Sequence, residues 1–409
     1  MPAAVQTFPL PRIVYERRSA YRDVSPAIET LKERGVSFEK PCPVNLADYW
    51  DYVEAIGYEA WLAQRLGWPV PLRRFSVFIT DLCNLHCDYC ERRTAVQKSI
   101  DLEWLRERLP EARDLGVVFF DVMGLGEPTL LNGLPELIAE ATALGMVATV
   151  GTHGATPNLR DPAYRERLFA ASPLKFRISL DSAERAEHDR VRAGTPSWES
   201  AVALIEHVVD ARSRGRMRAG IFVNRVVTAG NVQTLLRDLS FYANLGVDDV
   251  QLIPIRFHAD AFLSNDAIRR FNAEIAPRIE ELAVRHQLPW LREIARPFGT
   301  EDDEIELSAQ GRYYRPTQAT ECFIQKSQLL LDARQLPFTC LWARRNGGGP
   351  IEWEGEPPAD LYTMREQLLS VNYLQVNPFI CESLCTRRII HANDAAARHI
   401  ELPFYSEAT

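Results

Sequence analysis

Three cysteines are the residues of this chain best placed to do chemistry. Cys83, Cys87 and Cys90 are separated by three and two intervening residues in the run Cys-Asn-Leu-His-Cys-Asp-Tyr-Cys. Three thiolates on so short a loop can grip one compact metal centre. A four-iron cubane normally takes four cysteines. Three leave one iron with an open position, the mark of a reactive rather than a purely structural site. The alternative is structural zinc, with His86 as a fourth ligand.

A second group follows. Cys322 and Cys340 have seventeen residues between them, and Cys381 and Cys385 follow with three between them. Four thiolates can saturate one iron–sulfur cluster or one zinc. Clustered cysteines in a chain of this size more often bind metal than form disulfides. Cys42 is the eighth and stands apart. It reads either as an inert small hydrophobe or as a thiol that gives a hydrogen atom to a substrate radical.

These residues need elements to hold them. Six β-rich runs occur: Phe75–Thr80, Val117–Met123, Val147–Thr152, Phe176–Asp181, Ala219–Val227 and Val250–Ile255. Helical patterns separate them at Leu102–Leu115, Leu134–Leu144, Ala163–Ala171, Trp198–Arg212 and Val232–Leu245. Such alternation predicts a parallel sheet with right-handed crossovers. Six units are too few for a closed eight-unit barrel, so the expected fold is α/β, a partial (β/α)6 TIM-like barrel. Asp266 to Gln287 reads as a closing helix kinked by Pro277. Residues 1–74 read as an N-terminal helical extension, from the helical spacing of Tyr49, Tyr52, Val53, Ile56, Tyr58, Trp61 and Leu62. Residues 75–290 form the barrel. Residues 291–409 form a small C-terminal α+β domain with the second cysteine group and a β-like piece at Ser327–Asp332.

Composition narrows the partners. The 409 residues carry 47 basic and 55 acidic side chains, a net charge of −8. That balance argues against a protein held mainly by nucleic-acid phosphates. No run approaches a membrane span, and the first residues lack an apolar signal core. The expectation is a soluble, cytoplasmic protein.

The first cysteine run, with Tyr89 just before its last cysteine, resembles the radical S-adenosylmethionine superfamily. The resemblance implies that Cys83, Cys87 and Cys90 hold a [4Fe–4S] cluster whose open iron chelates S-adenosylmethionine. One electron then cleaves the sulfonium, and a 5′-deoxyadenosyl radical abstracts a hydrogen atom from substrate. Gly124-Leu125-Gly126-Glu127-Pro128 looks like the family's GGE motif, with Leu125 in place of its first glycine. There Gly126, Glu127 and neighbouring carbonyls would receive the methionine ammonium. Thr152-His153-Gly154 resembles the family's turn after the third strand. Ser179-Leu180-Asp181, followed by His188-Asp189-Arg190 and Arg192, looks like a signature of its peptide- and sugar-modifying branch. Ser179 and Asp181 would bind ribose or methionine, Arg192 the carboxylate, and Ile253 the adenine. Arg225, Arg256 and His258 also lie near strand ends, facing substrate or forming surface ion pairs.

The second group resembles the twitch domain, a shortened SPASM domain, and implies a second [4Fe–4S] cluster on Cys322, Cys340, Cys381 and Cys385. The implied enzyme is an oxidoreductase. It dehydrogenates a small sugar-like or aminocyclitol substrate in natural-product biosynthesis, with the auxiliary cluster accepting an electron. Alternatives are an epimerase using Cys42, or a maturase of a ribosomal peptide. A flavodoxin- or ferredoxin-type protein would supply electrons. A non-catalytic metalloprotein would leave the Gly-Glu-Pro and Ser-Leu-Asp elements without a purpose.

Overall fold

A computed structural model describes residues 60, 64, 70–90, 98–255, 258–311, 322–338 and 360–370. Most of the N-terminal extension, including Cys42, lies outside the described residues, as do Arg256, Cys340, Cys381 and Cys385.

The strands are β1 Arg74–Phe78, β2 Phe119–Met123, β3 Val147–Thr152, β4 Leu174–Ser179, β5 Ala219–Val227, β6 Asp249–Pro254, β7 Gln328–Leu331 and β8 Pro337–Phe338. They form one sheet in the order β6-β5-β4-β3-β2-β1-β7-β8. Strands β1 to β7 pair in parallel, and β8 turns back antiparallel on β7. This is the open, partial TIM-like architecture that the strand–helix alternation predicts. The Ser327–Asp332 piece is β7, and it extends the barrel sheet beside β1.

Helices α1 Leu102–Asp114, α2 Leu134–Ala143, α3 Pro162–Ala170, α4 Arg185–Val191, α5 Trp198–Ser213 and α6 Leu235–Asn244 make the crossovers. Asp101 starts α1 by accepting from the backbone N–H of Glu103 at 3.0 Å, and Leu105, Leu109 and Ala112 turn inward. Alternate strand residues meet that helical layer: Phe75, Val77, Phe120, Val122, Val150, Phe176, Ile178, Ile221, Val223 and Val250 belong to one buried core. Each such side chain contributes about 1.5–3 kcal/mol by leaving water.

The closing helix is interrupted. It runs as α7 Asn265–Arg270, one wide turn over Phe271–Ile275, and α8 Ala276–Arg285. Pro277 lacks the N–H that would bond four residues back, and its ring crowds that carbonyl. The wide turn immediately before it accommodates the misfit.

The opposite strand face is polar. Arg74 pairs with Asp121, to which Ser76 also donates at 3.3 Å. Arg177 donates to Gln251 at 2.9 Å, and the Lys175 ammonium sits 4.8 Å from the Phe222 ring centroid. Arg225 faces the other way. It is wholly buried, 2.8 Å from Asp238 of α6, and is neither substrate-facing nor part of a surface pair. Asp238 also accepts from Ala183 N at 2.9 Å and Thr234 Oγ1 at 2.9 Å. The pair thus staples β5, α6 and the loop after β4. Removing one partner strands a buried charge. Arg225→Ala is expected to lower stability by about 3–5 kcal/mol, and Arg225→Met with Asp238→Asn, which removes both charges but keeps an acceptor for Ala183 N, to recover part of it. Urea unfolding checks both; equal losses in the single and double variants would contradict the assignment.

Candidate active site

The cysteine loop leaves β1 at its C-terminal end and has little regular structure of its own. It is held by groups from neighbouring strand ends. Gly126 N donates to Thr80 O at 3.0 Å and Glu127 N to Leu82 O at 2.7 Å. A Cβ on Gly126 would lie 2.1 Å from the Leu82 carbonyl oxygen, and one on Gly124 would lie 2.8 Å from that of Thr80. The glycines let the segment after β2 pack directly on the root of the cysteine loop.

Glu127 is buried, and its carboxylate is filled by protein donors. Oε1 accepts from Thr129 N at 3.1 Å, Thr129 Oγ1 at 2.6 Å and Thr152 Oγ1 at 2.7 Å; Oε2 accepts from His153 N at 2.8 Å. A ligand ammonium therefore finds backbone carbonyls here more readily than this carboxylate. Thr152 is a strut between Glu127 and Gly154, whose N–H donates to its hydroxyl at 2.9 Å. His153 Nδ1 accepts from Ala155 N at 3.0 Å, so Nε2 carries the proton and faces Asn84 Oδ1 at 3.1 Å and Glu127 Oε2 at 3.2 Å. Burial lowers the pKa of this imidazole, against the pull of Glu127. Asn84 lies between the first two cysteines and also donates to Ala155 O at 2.9 Å. One side of the loop is thereby tied to β3.

The other side is tied to β4 and α4. Asp88 N donates to Val191 O at 3.1 Å. Tyr89 donates its phenol proton to Asp181 Oδ2 at 2.6 Å, and the Arg192 guanidinium lies 5.6 Å from the Tyr89 ring centroid. Arg192 Nη2 lies 2.6 Å from Asp181 Oδ2, and Nη1 donates to Cys87 Sγ at 3.4 Å. Asp181 also accepts from Val226 N of β5 at 3.3 Å. Burial alone would raise the Asp181 pKa, but Arg192 and its other partners hold it below the usual carboxylate value. Burial pushes the Cys87 thiol up despite Arg192.

His188 positions Asp181 from behind. Its Nδ1 accepts the Asp181 N–H at 3.1 Å, and its Nε2 faces Ser197 Oγ at 3.1 Å. Burial and Arg192 push its pKa down to about 4.

The structure thus gathers Tyr89, Gly126, Glu127, Thr152, Asp181 and Arg192 around Cys83, Cys87 and Cys90. Ser179 and Ile253 stand at the ends of β4 and β6. His258 is exposed before a short helical turn. Cys322 caps the short helix Phe323–Lys326, and Ser327 O accepts from Arg73 N at 2.8 Å. Its segment therefore enters beside the start of β1, whereas the cysteine loop leaves from the end. Sequence reasoning assigned no role to Asn84, Thr129, Ser197 or Asn224. Asn84 sat inside the cysteine run and His188 inside a quoted motif, but their partners depend on how strand ends meet.

The donor set suits an iron–sulfur cluster: three thiols share a loop, and two already accept N–H groups, Leu85 N lying 3.4 Å from Cys83 Sγ. Among the described residues no three Cys, His, Asp or Glu side chains group closely enough for a single metal ion. A four-iron cluster, whose thiolates bond different irons, asks for wider spacing. Among the described residues the buried Arg192 Nε has no hydrogen-bond partner, as a site for an anionic ligand group requires.

Residues 77–239 match the Radical SAM superfamily profile. These residues carry a radical SAM domain, and the members of that superfamily are enzymes that use a [4Fe–4S] cluster and S-adenosylmethionine. It is 28% identical over 211 residues to a PqqA peptide cyclase of Granulibacter bethesdensis, covering 50% of this chain and 54% of that one. The match thus spans about half of that relative's length. A GTP 3′,8-cyclase of Alkaliphilus metalliredigens is 26% identical over 261 residues, 58% of this chain and 78% of the other. Streptococcus suis SuiB bound to S-adenosylmethionine shares the fold with a TM-score of 0.55 at 14% identity, over 86% of this chain and 78% of SuiB. Among the described residues no helix is long and apolar enough to cross a membrane.

Two outcomes follow from this geometry. Gly126→Ala must displace the Leu82 carbonyl, at a cost of about 1–3 kcal/mol, and iron retained after anaerobic reconstitution should drop although the chain stays folded by circular dichroism. Wild-type iron content would refute the close-packing argument. His188 is neutral in the fold and titrates near 6.5 when unfolded. Its contribution is complete above that value and is lost as pH falls towards 4, up to about 3 kcal/mol. Urea midpoints at pH 7 and 5 should differ more for the wild type than for His188→Gln.

Proposed function

We propose that this enzyme matures a peptide, forming a covalent link within it after hydrogen-atom abstraction from an unactivated C–H bond. The observation that carries the reading lies on the inner strand face. Ser179, Asn224 and Gln251 stand in register across β4, β5 and β6. Among the described residues the buried Asn224 Oδ1 accepts no hydrogen bond. An unsatisfied amide oxygen there asks for a hydrogen-bond donor. A peptide N–H is such a donor, and so is a side-chain carboxamide N–H. Similarity to a PqqA peptide cyclase supports the same reading, as does the shared fold with SuiB solved with its precursor peptide SuiA (TM-score 0.52, 13% identity, 83% of this chain). The sugar-like or aminocyclitol substrate expected from the sequence has less behind it.

When bound, the cluster and S-adenosylmethionine supply a carbon-centred radical able to take a hydrogen atom. The chain's residues do the positioning. Cys83, Cys87 and Cys90 hold the metal, and Tyr89, Asp181, Arg192, Glu127 and Thr152 fix their loop. Carbonyls around Gly126, the Arg192 fork, Ser179 and Ile253 line the place for S-adenosylmethionine. Asn224 and Gln251 orient the substrate. Linking two peptide atoms by loss of two hydrogens is a two-electron oxidation. One electron would leave with the hydrogen atom taken by the 5′-deoxyadenosyl radical; the second would pass to an auxiliary cluster that we assign to Cys322, Cys340, Cys381 and Cys385, its proton to solvent, and a small flavodoxin- or ferredoxin-type protein would supply the electron that cleaves the sulfonium.

Anaerobic reconstitution should give about eight irons per chain, and about four when Cys83, Cys87 and Cys90 are all alanine. Incubation with synthetic peptides encoded by short reading frames beside the gene should yield 5′-deoxyadenosine and a peptide lighter by two hydrogens in its mass spectrum. Turnover of an aminocyclitol or sugar, with no peptide altered, would overturn the peptide reading.

A further inference from the structure

Arg192 does more than wait for a ligand carboxylate. It follows the last turn of α4, whose Val191 carbonyl is bonded to Asp88 N at 3.1 Å. The cysteine loop and the arginine are therefore pinned to one another through the backbone. The side chain is buried, braced by Asp181 and lying 5.6 Å from the Tyr89 ring centroid. From that mount Nη1 donates to Cys87 Sγ at 3.4 Å.

We propose that Arg192 sets the reduction potential of the cluster on Cys83, Cys87 and Cys90 through a charged N–H···S bond to Cys87, with Asp181 as the positioning residue that aims it. The proposal rests on reading those cysteines as cluster ligands. Reduction by one electron from an external low-potential donor adds a negative charge to the cluster and its thiolates. A guanidinium in contact with one sulfur stabilises the reduced state more than the oxidised one, so the potential rises. Asp181 carries the opposite charge but forms its ion pair with another nitrogen of the fork, and its carboxylate is shared with the Tyr89 phenol and Val226 N–H. The cation is the member of the pair that touches the thiol. It cannot swing into solvent, because both its backbone and its counter-ion are fixed.

The test is an anaerobic redox titration of the reconstituted full chain, followed by the EPR signal of the reduced cluster. Arg192→Lys keeps the charge and loses the fork. Arg192→Gln loses the charge. Arg192→Gln with Asp181→Asn removes both charges, so no carboxylate is stranded if the single variant folds poorly. At a fixed poise the reduced-to-oxidised ratio should fall about tenfold in Arg192→Gln, equal to about 59 mV for a one-electron couple. Arg192→Lys should fall less, and the double variant should lie between Arg192→Gln and the wild type. Pulsed EPR in deuterated buffer should lose an exchangeable coupling in all three. Wild-type potentials in variants with full iron content would overturn the proposal. So would a double variant that returns to the wild-type value, since net charge rather than the sulfur contact would then be responsible. Failure of the underlying reading looks different: a chain with Cys83, Cys87 and Cys90 all changed to alanine would keep its full iron content and its whole EPR spectrum, rather than only the signal of the second cluster.

Discussion

Two buried carboxylates organise this active site. Glu127 and Asp181 lie at the ends of β2 and β4, each nearly inaccessible to water. An ionised carboxylate in such a place costs several kcal/mol unless its lone pairs are met by donors. That demand draws neighbouring segments together. Glu127 collects two threonine hydroxyls, two backbone N–H groups and the His153 ring. Asp181 collects a tyrosine, an arginine and a β5 backbone N–H. Through Asn84 on one side and Tyr89 on the other, both networks end on the cysteine loop. A loop with little secondary structure thereby acquires a fixed shape without a core of its own.

The same division of labour runs through the sheet. Its outer face packs Phe, Val and Ile against helices, and its inner face carries Arg74, Asp121, Lys175, Arg177, Asn224 and Gln251. Inner polar groups are costly unless paired. Most are paired with one another, such as Arg74 with Asp121 and Arg177 with Gln251. Among the described residues Asn224, in the row nearest the strand ends, is an exception: its buried side-chain oxygen accepts no hydrogen bond.

Much of this was legible in the residues. The strands appear within about two residues of where the apolar period places them, and α1, α2, α3 and α5 begin within one. Cysteine spacing identified the loop, and the motif ends identified its neighbours. Less legible were the partners. That Glu127 would be filled from within depends on Thr129, Thr152 and His153 meeting at one point in space. Arg225 looked like a strand-end cation, but its parity on β5 turns it to the helical layer, where Asp238 meets it. The place of β7 beside β1 was hidden because a four-residue strand carries no record of its pairing partner. Pro277 announced a break in the closing helix, and only the backbone shows it as a single wide turn.

The departure at Leu125 shows how a motif should be read. A glycine can be required by backbone angle or by lack of space. The positive-φ positions of this chain include neither Gly124, Leu125 nor Gly126, so angle is not the constraint on this segment. Space is, and it is short at Gly124 and Gly126, where an added Cβ would meet the Thr80 and Leu82 carbonyls. Position 125 lies between these two contacts with an ordinary backbone, so a leucine there is compatible with the packing that holds the loop. The invariant worth seeking in related sequences is therefore the pair of close approaches to the cysteine loop, one residue apart, rather than two consecutive glycines.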